Sequence, residues 1–174
     1  TSISFDEFSA IKHDNAYSPR YRGYAYLSSV AELEPDGPEE AQALSLIRNW
    51  DLHTDTANRS AALGVCILLE EWQAERTGSA LPDGRETLHT CMDSVRDVAG
   101  QLDPEWGTVQ QHGRGQRTWP AAGGPDTLRA MYAEQLEDED DFLTVVAGDG
   151  LYYLIEWNAE GEQTIRGTHQ YGSQ

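Results

Sequence analysis

Lysine is almost missing from this chain. Among 174 residues the single lysine is Lys12, and 12 basic side chains face 30 acidic ones, a formal charge of −18. A surface so short of cations repels phosphate backbones, which argues against nucleic acid as a partner. Long apolar runs are also missing. No window approaches the roughly 20 apolar residues that a membrane-spanning helix needs, and the mean hydropathy is −0.61. The sequence expectation is therefore no membrane partner, and no basic start followed by an apolar stretch reads as a signal peptide. Cysteine is scarce too. Two residues, Cys66 and Cys91, cannot build a disulfide scaffold. Both fall on apolar faces of predicted helices, so buried reduced thiols are the expectation and a helix-to-helix disulfide the alternative.

What is present divides at about residue 104, with 1–104 mainly helical and 105–174 mainly β. The chain opens on "TSISFDEF". A free N-terminal threonine such as Thr1 can act as a nucleophile with its own amino group as base. The same stretch has a local explanation, because Ser4 and Glu7 stand at capping-box spacing ahead of a short helix carrying Phe5, Phe8 and Ile11 on one face. "YSPRYRGYAY" at 17–26 is aromatic and irregular, and is expected to cover a surface or pack on a neighbouring segment. After the turn at 35–38, "EEAQALSLIRNW" predicts a helix with Ala41, Leu44, Ile47 and Trp50 inward. "NRSAALGVCILLEEWQAER" at 58–76 is apolar on most sides and predicts the most buried element. A third helix over 85–102 carries Leu88, Cys91, Met92, Val95, Val98 and Ala99 at helical spacing.

From Trp106 onward helix formers give way to Gly, Thr, Val, Gln and Trp. "FLTVVAG" and "LYYLIEW" are strand-like and separated by Asp149-Gly150, a favoured hairpin turn, and "NAEGEQ" makes a second turn before "TIRGTHQY". A three-stranded antiparallel meander is the simplest reading. "EDEDD" at 137–141 reads as a solvated loop. The fold class expected is α+β, a helical layer over about 5–102 followed by antiparallel strands over about 106–170.

Three clusters could carry chemistry. Asp51, His53 and Asp55 alternate in "DLHTD" and would share one face of a strand, as metal ligands can. The stretch joins two predicted helices, however, and lacks partner spacing. His13-Asp14, with His169 far downstream, could orient a general base, but adjacent helical side chains diverge and no GxSxG elbow supplies a serine. "HGRGQR" and "AAGGPDT" are glycine-rich yet match no phosphate-loop pattern. The expectation is that no catalytic, cofactor-binding or metal residue can be assigned, and that no cofactor is used.

Six stretches taken in order resemble the penicillin-amidase family of N-terminal-nucleophile hydrolases, with the likeness greatest to acyl-homoserine-lactone and aculeacin-type acylases. They are "SISFDEFSAIKHD", "LIRNWDLHTDTANRSAALGVCILLEEW", "DPEWGTVQQHGRG", "PAAGGPDTLRAMY", "VVAGDGLYYLIEW" and "GTHQYGSQ". The resemblance implies the C-terminal part of the β subunit of a periplasmic or secreted acylase that is cut autocatalytically into α and β chains. The implied reaction is hydrolysis of a linear amide, such as an N-acyl-homoserine lactone or a β-lactam acyl side chain, through an acyl-enzyme. In that family the nucleophile is the serine that begins the β chain. The resemblance sets Thr1 well inside that chain, so it implies a chain boundary there rather than a nucleophile, and transfers no catalytic residue. Implied partners are the α chain and the rest of the β chain, with a small N-acyl substrate. The strands would join a larger sheet, so the piece by itself is expected to self-associate. Two other classes remain open, a self-contained amidohydrolase using Thr1 and a non-enzymatic binding domain presenting the aromatic 17–26 stretch.

Overall fold

The computed structural model describes residues 3–136 and 141–168. Helices come first: α1 (Phe5–Lys12), α2 (Tyr24–Ala31), α3 (Pro38–Arg48), α4 (Ala61–Thr77), α5 (Gly84–Ala99) and the single turn α6 (Trp106–Val109). Strands follow as β1 (Gln110–Arg114), β2 (Arg117–Pro120), β3 (Met131–Glu134), β4 (Leu143–Gly148), β5 (Tyr152–Trp157) and β6 (Gln163–Thr168). The architecture is α+β with the helices leading.

The ends of the helices follow local chemistry. Ser4 Oγ accepts from the Glu7 N–H at 3.2 Å while Glu7 Oε2 accepts from the Ser4 N–H at 2.7 Å, a complete capping box on α1. Pro38 opens α3, where its missing N–H costs nothing. Asp83 caps α5 through the N–H groups of Arg85 and Glu86, and Gly100 closes it in the left-handed region. The core gathers around α4, whose buried side chains include Leu63, Val65, Ile67 and Leu68. Against it pack Val30 of α2, Leu44 and Ile47 of α3, and Leu88 and Met92 of α5.

Several expectations change. Of the two expectations for 17–26 the packing one holds: Tyr17 and Tyr26 belong to the core against neighbouring segments, while Tyr24 begins a helix and is exposed. On α3 it is Ala43, not Ala41, that is buried, because the inward face runs through Glu40, Leu44 and Ile47. Glu40 can occupy that face because Arg85 and His89 meet its carboxylate. Phe8 and Ile11 share a side of α1 but stay exposed, and α1 buries no residue. Cys66 and Cys91 are bonded rather than reduced. The faces of α4 and α5 approach until the two Cα atoms lie 5.8 Å apart, within reach of a disulfide.

The meander does not form either. β4 joins a four-stranded sheet of order β2-β1-β4-β3, antiparallel to β3 but parallel to β1, while β5 and β6 pair by themselves. Asp149 explains the break. Its N–H goes to the Ala130 carbonyl at 2.8 Å and its carboxylate to Lys12 on α1, so Asp149-Gly150 is a link between sheets and not a tight turn. The second turn does form. Asn158 Oδ1 accepts from the N–H groups of Glu160 and Glu162, and Gly161 has φ +82°, so β5 and β6 hold a six-pair antiparallel register. His169, the C-terminal "GTHQYGSQ" beyond Thr168, most of the acidic run 137–141, and Thr1 lie outside the described residues.

Candidate functional site

Two of the segments singled out in the sequence, "DLHTD" through Thr54 and "AAGGPDT" through Gly123, meet at one buried junction. Thr54 donates its hydroxyl to the Asn15 carbonyl at 2.6 Å, and the Leu52 carbonyl accepts from Tyr17 N–H at 2.9 Å. These bonds clip the 51–56 loop to the 14–17 strap. Trp106 and Gly107 then donate backbone N–H groups to the carbonyls of Asn58 and Thr56 at 2.9 and 2.8 Å. The Trp106 indole N–H and the Gln110 side-chain amide both reach the Gly123 carbonyl, at 2.9 and 3.0 Å, and the Gly123 N–H returns to Thr54 O at 3.1 Å. Gly123 has φ +94° and a Cβ there would stand 2.2 Å from the Arg129 carbonyl oxygen, so only glycine fits. The Gly-Gly of "AAGGPDT" is therefore a packing device. Its carbonyl faces donors, the reverse of a phosphate cradle.

The "DLHTD" carboxylates are occupied by turn contacts. Asp51 Oδ1 accepts from His53 N–H at 3.0 Å and from the Asn58 side chain at 2.8 Å, and Asp55 accepts from the Asn15 side chain at 3.0 Å. His53 Nδ1 stands 3.7 Å from Asp55. Among the described residues no three His, Cys, Asp or Glu side chains are disposed to hold a metal ion.

His13 and Asp14 diverge. His13 Nδ1 lies 2.7 Å from the Ser9 carbonyl, which can only accept, so Nδ1 carries the proton. In the neutral ring Nε2 then accepts from the Tyr152 hydroxyl at 2.6 Å. Asp14 instead accepts from Ala16 N–H. The histidine is a strut between α1 and β5. "HGRGQR" supplies the β1–β2 turn, with Gly115 at φ +59°.

Two charged clusters had no signal in the sequence. Asp126, a non-glycine residue at φ +59°, accepts from Arg22 at 2.7 Å and from the Tyr132 hydroxyl at 2.9 Å, and Arg22 also meets Glu75 at 2.5 Å. Beside this cluster lie two buried polar atoms that have no hydrogen-bond partner among the described residues, Glu71 Oε2 and the Tyr17 hydroxyl. Burial pushes the Glu71 carboxyl and the Tyr17 phenol up, and takes Tyr21 up to about 12. The second cluster centres on Glu40, which takes a backbone N–H from Asp36 at 2.7 Å, His89 Nε2 at 2.6 Å and the Arg85 guanidinium. Those donors, the backbone one foremost, hold its pKa down at about 2. The first cluster draws on Arg22, on Glu71 and Glu75 of α4, and on Asp126 and Tyr132, and the second joins residues 36–40 to Arg85 and His89 of α5, so no local spacing could reveal either.

No protein-family model matches this chain, and no curated protein matches it. Among the described residues no helix is long and apolar enough to cross a membrane.

Proposed function

We propose that this chain is a scaffold portion of an acylase of the penicillin-amidase type, from the later part of its β subunit. The parent would hydrolyse linear amides through an acyl-enzyme formed on residues outside this chain. The observation that carries the reading is the junction of Thr54, Trp106, Gln110 and Gly123. Three of the six stretches that bear the resemblance meet there, and their polar groups are spent on one another's backbone. Such an arrangement suits a part that holds shape for chemistry done elsewhere. The β5–β6 pair supports the same reading, since Tyr153, Ile155 and Trp157 stay exposed on one side of β5 with Ile165 of β6 across from them. A hairpin with an uncovered apolar face is suited to completing a larger sheet. The disulfide between Cys66 and Cys91 fits a periplasmic or secreted parent.

The burial of Tyr17 and Tyr26 leaves only Tyr24 among that stretch's tyrosines exposed, which weighs against the binding-domain alternative. The amidohydrolase alternative is decided by assay. The purified 174-residue chain should not hydrolyse chromogenic acyl amides of any chain length, whereas the polypeptide made from the full open reading frame around it should. Turnover by the chain alone, abolished in Thr1→Ala, would overturn the scaffold reading and make Thr1 the nucleophile.

A further inference from the structure

An Asp-Gly step is prone to rearrange, because glycine puts no side chain in the way of an approach by its own nitrogen to the neighbouring carboxyl. The chain holds three, Asp36-Gly37, Asp83-Gly84 and Asp149-Gly150, and the fold treats them differently. Asp83 spends its carboxylate on the N–H groups of Arg85 and Glu86 as the cap of α5, and Gly84 is already the first residue of that helix. Asp149 is half-buried and paired with Lys12. Asp36 and Gly37 are both exposed. Among the described residues the Asp36 carboxylate meets no hydrogen-bond donor, and nothing stands within 4 Å of where a Gly37 Cβ would be. What the turn does hold is the backbone to either side. Asp36 N–H goes to Glu40 Oε2 at 2.7 Å, and the Gly37 carbonyl accepts from Ala41 N–H at 3.1 Å.

We propose that Asp36 is a modification site, converted in the folded chain to isoaspartate through a cyclic imide. The Gly37 amide nitrogen bonds to Asp36 Cγ, the carboxyl hydroxyl and the amide proton leave as water, and a five-membered succinimide results. Water then adds to the Asp36 main-chain carbonyl carbon, and the bond from that carbon to the Gly37 nitrogen breaks. The water lost in the first step is regained in the second, so no other reactant is needed. The main chain now runs through Cβ and Cγ, one atom longer between the anchors at Glu40 and Ala41. A change on an exposed turn thereby unseats the backbone donor of Glu40, a buried carboxylate. None of this depends on the acylase reading, since it needs only this chain and water.

Ageing the folded 174-residue chain at mildly acidic pH tests it, beside the same chain in guanidinium chloride, until the denatured sample has converted at all three steps. Isoaspartate is counted by enzymatic methyl transfer and located by electron-transfer fragmentation of the peptides. The folded chain should carry it at residue 36. Residues 83 and 149 should lag, the former by about fivefold or more, because its cap must open first. Asp36→Glu keeps the charge at an exposed position but would need a six-membered ring, so methyl acceptance should be lost. The isolated isoaspartyl form should melt below the fresh chain at pH 7. Residue 36 unconverted once the denatured chain has reacted, conversion spread evenly over the three steps, or undiminished methyl acceptance in Asp36→Glu would each overturn the site. Equal melting of the two forms would overturn its link to Glu40.

Discussion

Gly64 of α4 lies flat against the ring of Trp50, so close that a Cβ on Gly64 would stand 2.1 Å from ring atom Cε3. The indole cannot swing away freely, because its N–H is bonded to the His53 carbonyl at 2.8 Å. This contact sets how near the 50–56 loop sits to the central helix. Gly64→Ala gains helix propensity of about 1 kcal/mol. It also forces overpacking that costs roughly 1–3 kcal/mol and, at so short an approach, the upper part of that range. The balance is a loss of about 1–2 kcal/mol. Urea unfolding of the variant should show a lower midpoint with an unchanged slope; a midpoint equal to or above wild type would mean the ring yields easily.

The Cys66–Cys91 bond closes a loop across a sequence separation of 25. On the chain-entropy view a cross-link of that span contributes about 3 kcal/mol, a large share of a domain's net stability. Cys91 is fully buried, so reductant should act slowly on the folded chain and quickly once it opens. Cys66→Ala/Cys91→Ala should unfold at a lower urea concentration than the oxidised wild type, by an amount that reductant no longer changes. If the double variant and the oxidised wild type unfold together, the bond adds nothing.

How much of this was legible beforehand depends on range. Ser4 with Glu7, and Gly100 after α5, are decided within a few residues, and the structure agrees with the local reading. The helical spacing of Leu88, Cys91, Met92 and Val95 likewise marks a face that is buried. Asp149-Gly150 carries a hairpin signature yet makes none, because Lys12, over a hundred residues away in sequence, and the Ala130 carbonyl take Asp149 elsewhere. The irregular look of 17–26 concealed core tyrosines for a related reason. Tyr17 is buried against Trp50 and the Gly124 segment, and Tyr26 bonds to Pro82 and Thr87 near the start of α5, which no local pattern announces. Glu71 and Asp126 were invisible for the same cause, being neighbours only after folding.

Glu40 and Glu71 should respond to pH in opposite directions. Glu40, ordinarily near 4.5, titrates at about 2 when folded, so the unfolded chain binds its proton first as pH falls. Its contribution is whole above about pH 4.5 and is lost as pH drops towards 2. Glu40→Gln should lower the melting temperature at pH 7, where it abandons Arg85 and His89, and the deficit should shrink on acidification through that window. A deficit independent of pH would show that shape, and not charge, matters at this position.

Glu71 works the other way. Its folded pKa lies above the ordinary 4.5, driven first by burial and then by Glu75 and Asp126, with Arg22 opposing. The folded chain therefore holds the proton longer, and stability drains away as pH rises from about 4.5 through the raised value. Glu71→Gln removes the ionisation and keeps the shape. At pH 7 it should stabilise by about 1 kcal/mol, a rise of roughly 2–4 °C for a chain of this length. Near pH 4 the two proteins should melt almost together. A variant less stable than wild type at pH 7 would mean that the carboxylate, despite the unpartnered Oε2, is held by a favourable contact with Arg22.

The uncovered side of the β5–β6 pair carries the last consequence. Tyr153, Ile155, Trp157 and Ile165 are all at least 40% exposed, and among the described residues no further strand joins either edge of the pair. Hydrophobic attraction between such faces competes with repulsion between chains of charge −18. Salt screens the repulsion, with a Debye length falling from about 30 Å at 0.01 M to about 3 Å at 1 M, and slightly strengthens apolar contact. Self-association should therefore increase with added sodium chloride, the opposite of what an ion-paired interface would do. Sedimentation velocity over a concentration series should show it, and Trp157→Glu should abolish it without lowering the melting temperature, since Trp157 is 62% exposed. A monomer at every concentration and salt level would indicate that an open, aromatic hairpin of six residue pairs is not sufficient for pairing.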